Sequence, residues 1–248
     1  MKKLLLLLFI AFGVTLSHAN GIRILFIGDS ITDGGWGRSG GDMRSSQERN
    51  LWDLNHIYGH SYMFLCAAYY QSAFPEKELQ FYNRGISGNT LNDLSTRWEE
   101  DAIALHPDVI SILVGTNDVD ASLANDSFDS QAWEKEYRAL LDKTIQHNPN
   151  VKLVLCTPFT AETGRLKGSS NYRIRESRIQ TCADIIERLA NDYRAILVTY
   201  HTLFNHLLKE YPIQEGQYWI WDGIHPTPAG HQRMADLWIE NTKEFLGH

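Results

Sequence analysis

The stretch Ile22-Arg23-Ile24-Leu25-Phe26-Ile27-Gly28-Asp29-Ser30 carries the reading of the fold. Apart from Arg23, residues 22–27 are apolar without alternation, which predicts a strand buried on both faces. Gly28 ends the strand, and Ser30 stands where a helix would begin. Such a strand delivers a serine hydroxyl and its backbone N–H into one space at the carboxyl end.

The same strand–helix alternation continues outward. Helical spacing runs over 58–74 and stops before Pro75. A strand follows at Leu79 to Tyr82, then a helix over 91–105 that stops before Pro107. Val109 to Val114 is continuously apolar and predicts a central strand. A helix at Gln131 to His147, a strand at Val151 to Cys156, a long helix at Tyr172 to Tyr193 and a strand at Ala195 to Val198 come next. A short helix is expected over 203–211 and a last one over 228–245, with Pro228 suited to its first turn. This pattern predicts an α/β protein with a five-stranded parallel sheet and helices on both faces. Ligands bind such sheets at the carboxyl ends of the strands. Polar and Gly-rich clusters stand at those ends: Gly28-Asp29-Ser30, 83–89, Gly115-Thr116-Asn117-Asp118, and the pair Asp222 and His225 before the final helix.

The first 19 residues read differently. Lys2 and Lys3 precede a short apolar run, and Ser17-His18-Ala19 supplies small residues for cleavage, the pattern of a secretory signal peptide. The run falls short of a membrane span. Residues 20–248 suit a single domain. The expected localisation is secreted or periplasmic. The formal net charge is −7, and about −9 without the leader, which disfavours nucleic acid as a partner. The three cysteines, Cys66, Cys156 and Cys182, read as small buried apolar residues, although a Cys156–Cys182 bridge stays open in an oxidising compartment.

Ser30 is the candidate nucleophile, but a serine hydroxyl needs a base. Alone, it would equally serve as a turn or cap residue. Of ten histidines, His225 is the best base, since Asp222 stands three residues before it and can take its Nδ1–H. That leaves Nε2 free for the Ser30 proton, the division of labour of a Ser-His-Asp triad. His56, His60 and His231 are read as lacking such a partner. An oxyanion needs preformed donors, for which the Ser30 and Gly88 backbone amides and the Asn117 side chain are candidates. No metal or cofactor is expected, since no metal-ligand spacing or phosphate loop occurs.

Taken together, Gly28-Asp29-Ser30, Gly88, Gly115-Thr116-Asn117-Asp118 and Asp222-Gly223-Ile224-His225 resemble the four blocks of the SGNH (GDSL) hydrolases, in order and across nearly all of residues 20–248. The resemblance implies a flavodoxin-like three-layer α/β/α fold, Ser30 as nucleophile, His225 as base, Asp222 as its orienter, and Ser30, Gly88 and Asn117 as the oxyanion hole. Within that family, residues 83–90, 97–101 and 107–119, Thr157-Pro158-Phe159 and Trp221 are similar to SGNH-type acetylxylan esterases. That likeness implies a serine esterase removing acetyl from carbohydrate, with an acetylated oligo- or polysaccharide as partner. It also admits homo-oligomers. The chain departs from those enzymes over 36–58, where Arg44, Arg49, Trp52 and His56 stand. Asp29, Trp36, Trp52 and Trp221 are candidate substrate contacts, the aromatic ones as stacking faces for a sugar ring. The rival readings are a lysophospholipase or thioesterase for longer acyl chains, and an inactive carbohydrate-binding homologue.

Overall fold

The computed structural model describes residues 21–38 and 43–247; the expected leader over 1–19 lies outside them. Five parallel strands form one sheet: β1 (Arg23–Gly28), β2 (Gln80–Gly85), β3 (Val109–Leu113), β4 (Lys152–Cys156) and β5 (Ile196–Val198), in the order β2-β1-β3-β4-β5. The order reverses between β1 and β3, which opens a crevice at their carboxyl ends, where α/β sheets bind ligands.

Alternation along each strand divides the core in two. Ile24 and Phe26 of β1, Leu113 of β3 and Val154 of β4 face one cluster, while Leu25, Ile27, Ile112 and Leu155 face the other. Helices α2 (Tyr62–Ala73), α7 (Tyr200–Glu210) and α8 (Pro228–Leu246) cover the first face. Helices α3 (Leu91–Asp101), α5 (Ser130–His147) and α6 (Tyr172–Asp192) cover the second. The result is the expected α/β/α sandwich. Ser111 is the polar exception on β3, where it accepts the indole N–H of Trp238 at 3.0 Å and stays fully buried. Trp238 stacks obliquely on Phe26, 4.7 Å between centroids, so the last helix is seated on the first strand.

The helix starts follow local chemistry. Thr90 and Asp93 form a reciprocal capping box at α3, Asp129 caps α5, and Thr227 caps α8 with Pro228 in its first turn. The helix expected from Tyr58 begins only at Tyr62. Gly59, at φ +70°, turns the chain tightly against Gly34, where a β-carbon would lie 2.6 Å from a carbonyl oxygen. The helix expected to run to Leu105 breaks at Ala102, and a 3-10 turn continues it to Leu105. Helix α7 begins at Tyr200 rather than Leu203. Two short helices, α1 (Ser30–Asp33) and α4 (Thr116–Ser122), are too brief for periodicity to announce.

All three cysteines are free and buried. Cys156 packs in the cluster under α2 and α8, and Cys182 in the cluster on the other side of the sheet. The bridge left open on sequence is therefore absent, because the sheet separates the two thiols.

Candidate active site

Ser30 opens α1, so its amide is among the N-terminal N–H groups that no helical carbonyl can satisfy. The preceding Asp29 has the extended backbone of a cap, and its carboxylate accepts the Ile31 amide at 2.9 Å. Far along the chain, Asp222-Gly223-Ile224-His225 forms a tight loop before α8. Ser30 Oγ lies 2.9 Å from His225 Nε2, and His225 Nδ1 lies 2.9 Å from Asp222 Oδ2. The three sequence-predicted residues therefore meet in one continuous hydrogen-bonded row.

The loop is built to hold that row. Asp222 Oδ1 accepts the amides of Ile224 at 3.0 Å and His225 at 2.8 Å. Burial alone would raise the Asp222 carboxyl, but the bonds from the His225 ring and from those two amides outweigh it and bring the group down to about 2. Asp222 is thus a fixed anion at neutral pH, and it directs Nδ1 to carry the imidazole proton.

The segment after β4 forms a cradle around this loop, which sequence reasoning missed beyond Phe159. Thr160 Oγ1 donates to Gly223 O at 3.1 Å and Thr163 Oγ1 to Ile220 O at 2.7 Å, while the Ala161 amide reaches Gly223 O at 2.9 Å. Arg165 Nε stands 3.3 Å from Asp222 Oδ2. The two threonines and the Thr-Gly-Arg run at 163–165 were the available signal, but nothing in their spacing names the loop they hold.

Gly88 and Asn117, the other two candidate oxyanion donors, follow β2 and β3, the strands that flank β1. Asn117 lies in the first turn of α4, and its Nδ2 donates one hydrogen to Asn89 O at 3.0 Å, tying the loop after β3 to the loop after β2. Gly88 has φ +83°, and a β-carbon there would meet Met43 Sδ at 3.1 Å. Arg97 joins the same frame: it donates to Gly28 O at 3.2 Å, Asn89 Oδ1 at 2.8 Å and Arg84 O at 2.9 Å, and pairs with Asp101. Arg97 falls in the stretch 97–101, where no spacing in the sequence announces these contacts. Asp118, in the first turn of α4, accepts the Leu91 amide and the Trp133 indole N–H, each at 3.0 Å. Burial pushes its carboxyl up to about 6.

Two candidate substrate contacts are corrected by their burial. Asp29 is 1% exposed and spends its carboxylate on the helix cap. Trp36 is 0% exposed and gives its indole N–H to Gly85 O at 2.8 Å, so it has no face for a sugar. Trp52 and Trp221, by contrast, are exposed, at 82% and 57%. Trp221 adjoins the triad loop, and its amide donates to His225 O at 3.1 Å. The reading that His56 lacks a carboxylate partner also fails. Its Nδ1 lies 3.2 Å from Asp53 Oδ2, at the same spacing of three, although Ser30 meets His225 instead. His231 is tied into the fold, its Nδ1 accepting the Tyr62 amide at 3.1 Å.

Among the described residues, no three His, Cys, Asp or Glu side chains are gathered as a metal site requires. None of the described helices is long and apolar enough to cross a membrane.

Fold and site together define a three-layer α/β/α hydrolase. The pattern of the GDSL-like lipase/acylhydrolase family matches residues 26–233. An acetylxylan esterase of Geobacillus stearothermophilus is 33% identical over 227 residues, covering 89% of this chain and 93% of the relative. A mutant of an acetyl-xylooligosaccharide esterase from Geobacillus superposes with a TM-score of 0.72 at 28% identity, covering 92% of this chain and 95% of that one. An α/β hydrolase from the metagenome of Lake Arreo, Spain, superposes with a TM-score of 0.69 at 32% identity, covering 90% and 96%. The chain belongs to the GDSL-like lipase/acylhydrolase family. Its chemistry is carboxylic ester hydrolysis.

Proposed function

We propose that this chain removes acetyl and other short acyl groups from carbohydrate through an acyl-enzyme on Ser30. The observation that carries the mechanism is the unbroken row from Ser30 Oγ through His225 to Asp222. Ser30 attacks the ester carbonyl while His225 Nε2 takes its proton. Asp222 keeps the imidazole oriented and stabilises the imidazolium that forms. The oxyanion accepts hydrogen bonds from the Ser30 and Gly88 amides and from the second hydrogen of Asn117 Nδ2. The alcohol leaves with the proton from His225, and water then attacks the acyl-enzyme by the same route.

Two of the relatives act, by their names, on acetylated xylan or its oligosaccharides, which supports a sugar acetate as substrate. The exposed rings of Trp52 and Trp221 offer stacking surfaces for it. Residues 1–19 read as a leader, which supports export; amino-terminal sequencing of the released protein tests it.

The deciding experiment is turnover of aryl esters of increasing acyl length, followed by acetate release from acetylated polysaccharides. Ser30→Ala is expected to lower turnover by at least about 10³-fold with the fold intact. Preference for acyl chains of eight carbons or more would overturn the deacetylase reading. Failure of a serine-directed phosphonate to label Ser30 would leave only a carbohydrate-binding role.

A further inference from the structure

Arg49 and Asp33 form a two-pronged ion pair in which neither side chain has any solvent exposure. Arg49 Nη1 donates to Asp33 Oδ1 at 2.7 Å and Nη2 to Oδ2 at 3.0 Å. Burying two charges costs several kcal/mol per ion before their attraction is counted, so such a pair is weak evidence of stability for its own sake. What the pair holds is the informative question.

Asp33 is the last residue of α1, the helix that Ser30 opens. The same two oxygens that bind Arg49 also accept backbone amides: Gly35 at 3.1 Å and Ser87 at 2.9 Å. Ser87 immediately precedes Gly88. The platform below is equally tied to both partners. Arg49 lies over the Trp36 ring, 4.5 Å from its centroid, and the Trp36 indole donates to Gly85 O on the way to Gly88. Gly85 is pressed so closely on α1 that a β-carbon would lie 2.3 Å from Asp33 N. Arg49 Nε anchors its own segment by donating to Arg44 O at 3.2 Å. Arg49 thus stands 16 positions beyond Asp33 in the chain, yet its charge ends between the helix that Ser30 opens and the Gly88 loop.

We propose that Arg49 is a positioning residue for the oxyanion site: through Asp33 it fixes where the Gly88 amide stands relative to Ser30. The proposal rests on the esterase reading above. A guanidinium suits the task because its planar fork engages both carboxylate oxygens and leaves each free to accept an amide as well. Without that fork, Asp33 would have to carry a buried charge on amides alone. The Ser87–Gly88 loop would then lose its fixed distance from α1.

The test compares wild type, Ser30→Ala, Arg49→Met and Arg49→Lys on an aryl acetate. Phenylboronic acid serves as a reversible tetrahedral adduct of the serine hydroxyl. Removing one oxyanion donor costs about 10²–10³ in kcat, so displacing Gly88 is expected to lower kcat of Arg49→Met about 10²-fold, with KM changed less than about threefold. Phenylboronic acid is expected to weaken in proportion to kcat, a response that a loss of stability alone would not produce. Arg49→Lys keeps the charge without the fork and is expected to lose at least about tenfold in kcat. It carries the test if Arg49→Met does not fold. A folded variant with wild-type kcat, or one whose kcat falls while boronate affinity is kept, overturns the proposal. An inactive wild type would sink the esterase reading itself, so the two failures are distinct.

Discussion

Gly164 rests against the backbone of Asp222: a β-carbon at 164 would lie 2.6 Å from Asp222 Cα and 2.2 Å from the carbonyl oxygen of Trp221. Its φ of +49° is also one that L-residues rarely adopt. Gly164→Ala must therefore push the triad loop or its cradle aside. The expected cost is about 2 kcal/mol of stability or more, with a fall in kcat as His225 is displaced. Urea denaturation and aryl-acetate kinetics check both. The neighbouring Arg165 offers the contrast. Its side chain is 59% exposed beside Asp222, and exposed ion pairs contribute only about 0–1 kcal/mol. Arg165→Ala is expected to change stability by less than that. The cradle acts through backbone fit, with charge secondary.

Asp222→Asn tests the orienting anion. Asparagine can still accept the two loop amides, but it no longer forces the proton onto His225 Nδ1. A fall in kcat/KM of the order of 10³–10⁴ is expected, with the fold retained. Because the folded carboxyl sits at about 2 against an ordinary 3.8, its stabilising contribution is complete above pH 4. It is lost progressively as pH falls from about 4 through about 2. Melting curves of wild type and mutant should converge on strong acidification and separate at neutral pH.

Asp29 behaves in the opposite sense. Burial lifts its carboxyl from 3.8 to about 7, against the Ile31 amide that favours the anion. The folded state therefore keeps a proton that the unfolded chain has released across this window. The associated stability is present below pH 4 and is lost as pH rises through about 7. Asp29→Asn keeps the helix cap without the proton. Relative to wild type, it is expected to gain about 4 kcal/mol between pH 4 and pH 8, read by urea denaturation at the two pH values. A difference that stays constant across that range contradicts the assignment.

The three thiols give a simple chemical check. Burial pushes Cys156 up to about 12 and Cys66 well above the ordinary thiol value. Thiolate is the reactive form. The native protein is expected to take up no iodoacetamide at pH 8 over a period in which the urea-unfolded chain takes up three equivalents, and reductant should leave activity unchanged. Mass spectrometry of both samples decides it.

Much of this architecture was legible because each strand is a buried apolar run and each long helix is bounded by a cap, a proline or a turn. Ser30, Asp222 and His225 were legible because strand-end position and a three-residue spacing have chemical meaning in the linear chain. Trp36 and Asp29 misled for a physical reason. Closeness to Ser30 along the chain says nothing about which way a side chain turns, and both turn inward. Arg49 and Asp33 were beyond reach because they stand 16 positions apart and no periodicity in the sequence relates them. The cradle at 160–166 was hidden likewise, since its contacts reach about 60 residues ahead to carbonyls, which every residue type carries.

Ser30 and His225 are 195 positions apart, one at the end of the first strand and the other just before α8. That helix is the element whose Trp238 seats on Phe26. In the mechanism proposed above, Ser30 is therefore synthesised early and has no base until residue 225 has left the ribosome and α8 has found its seat. Under that mechanism, a product that stops short of His225 is expected to hydrolyse nothing, and hydrolytic power would be switched on late in translation.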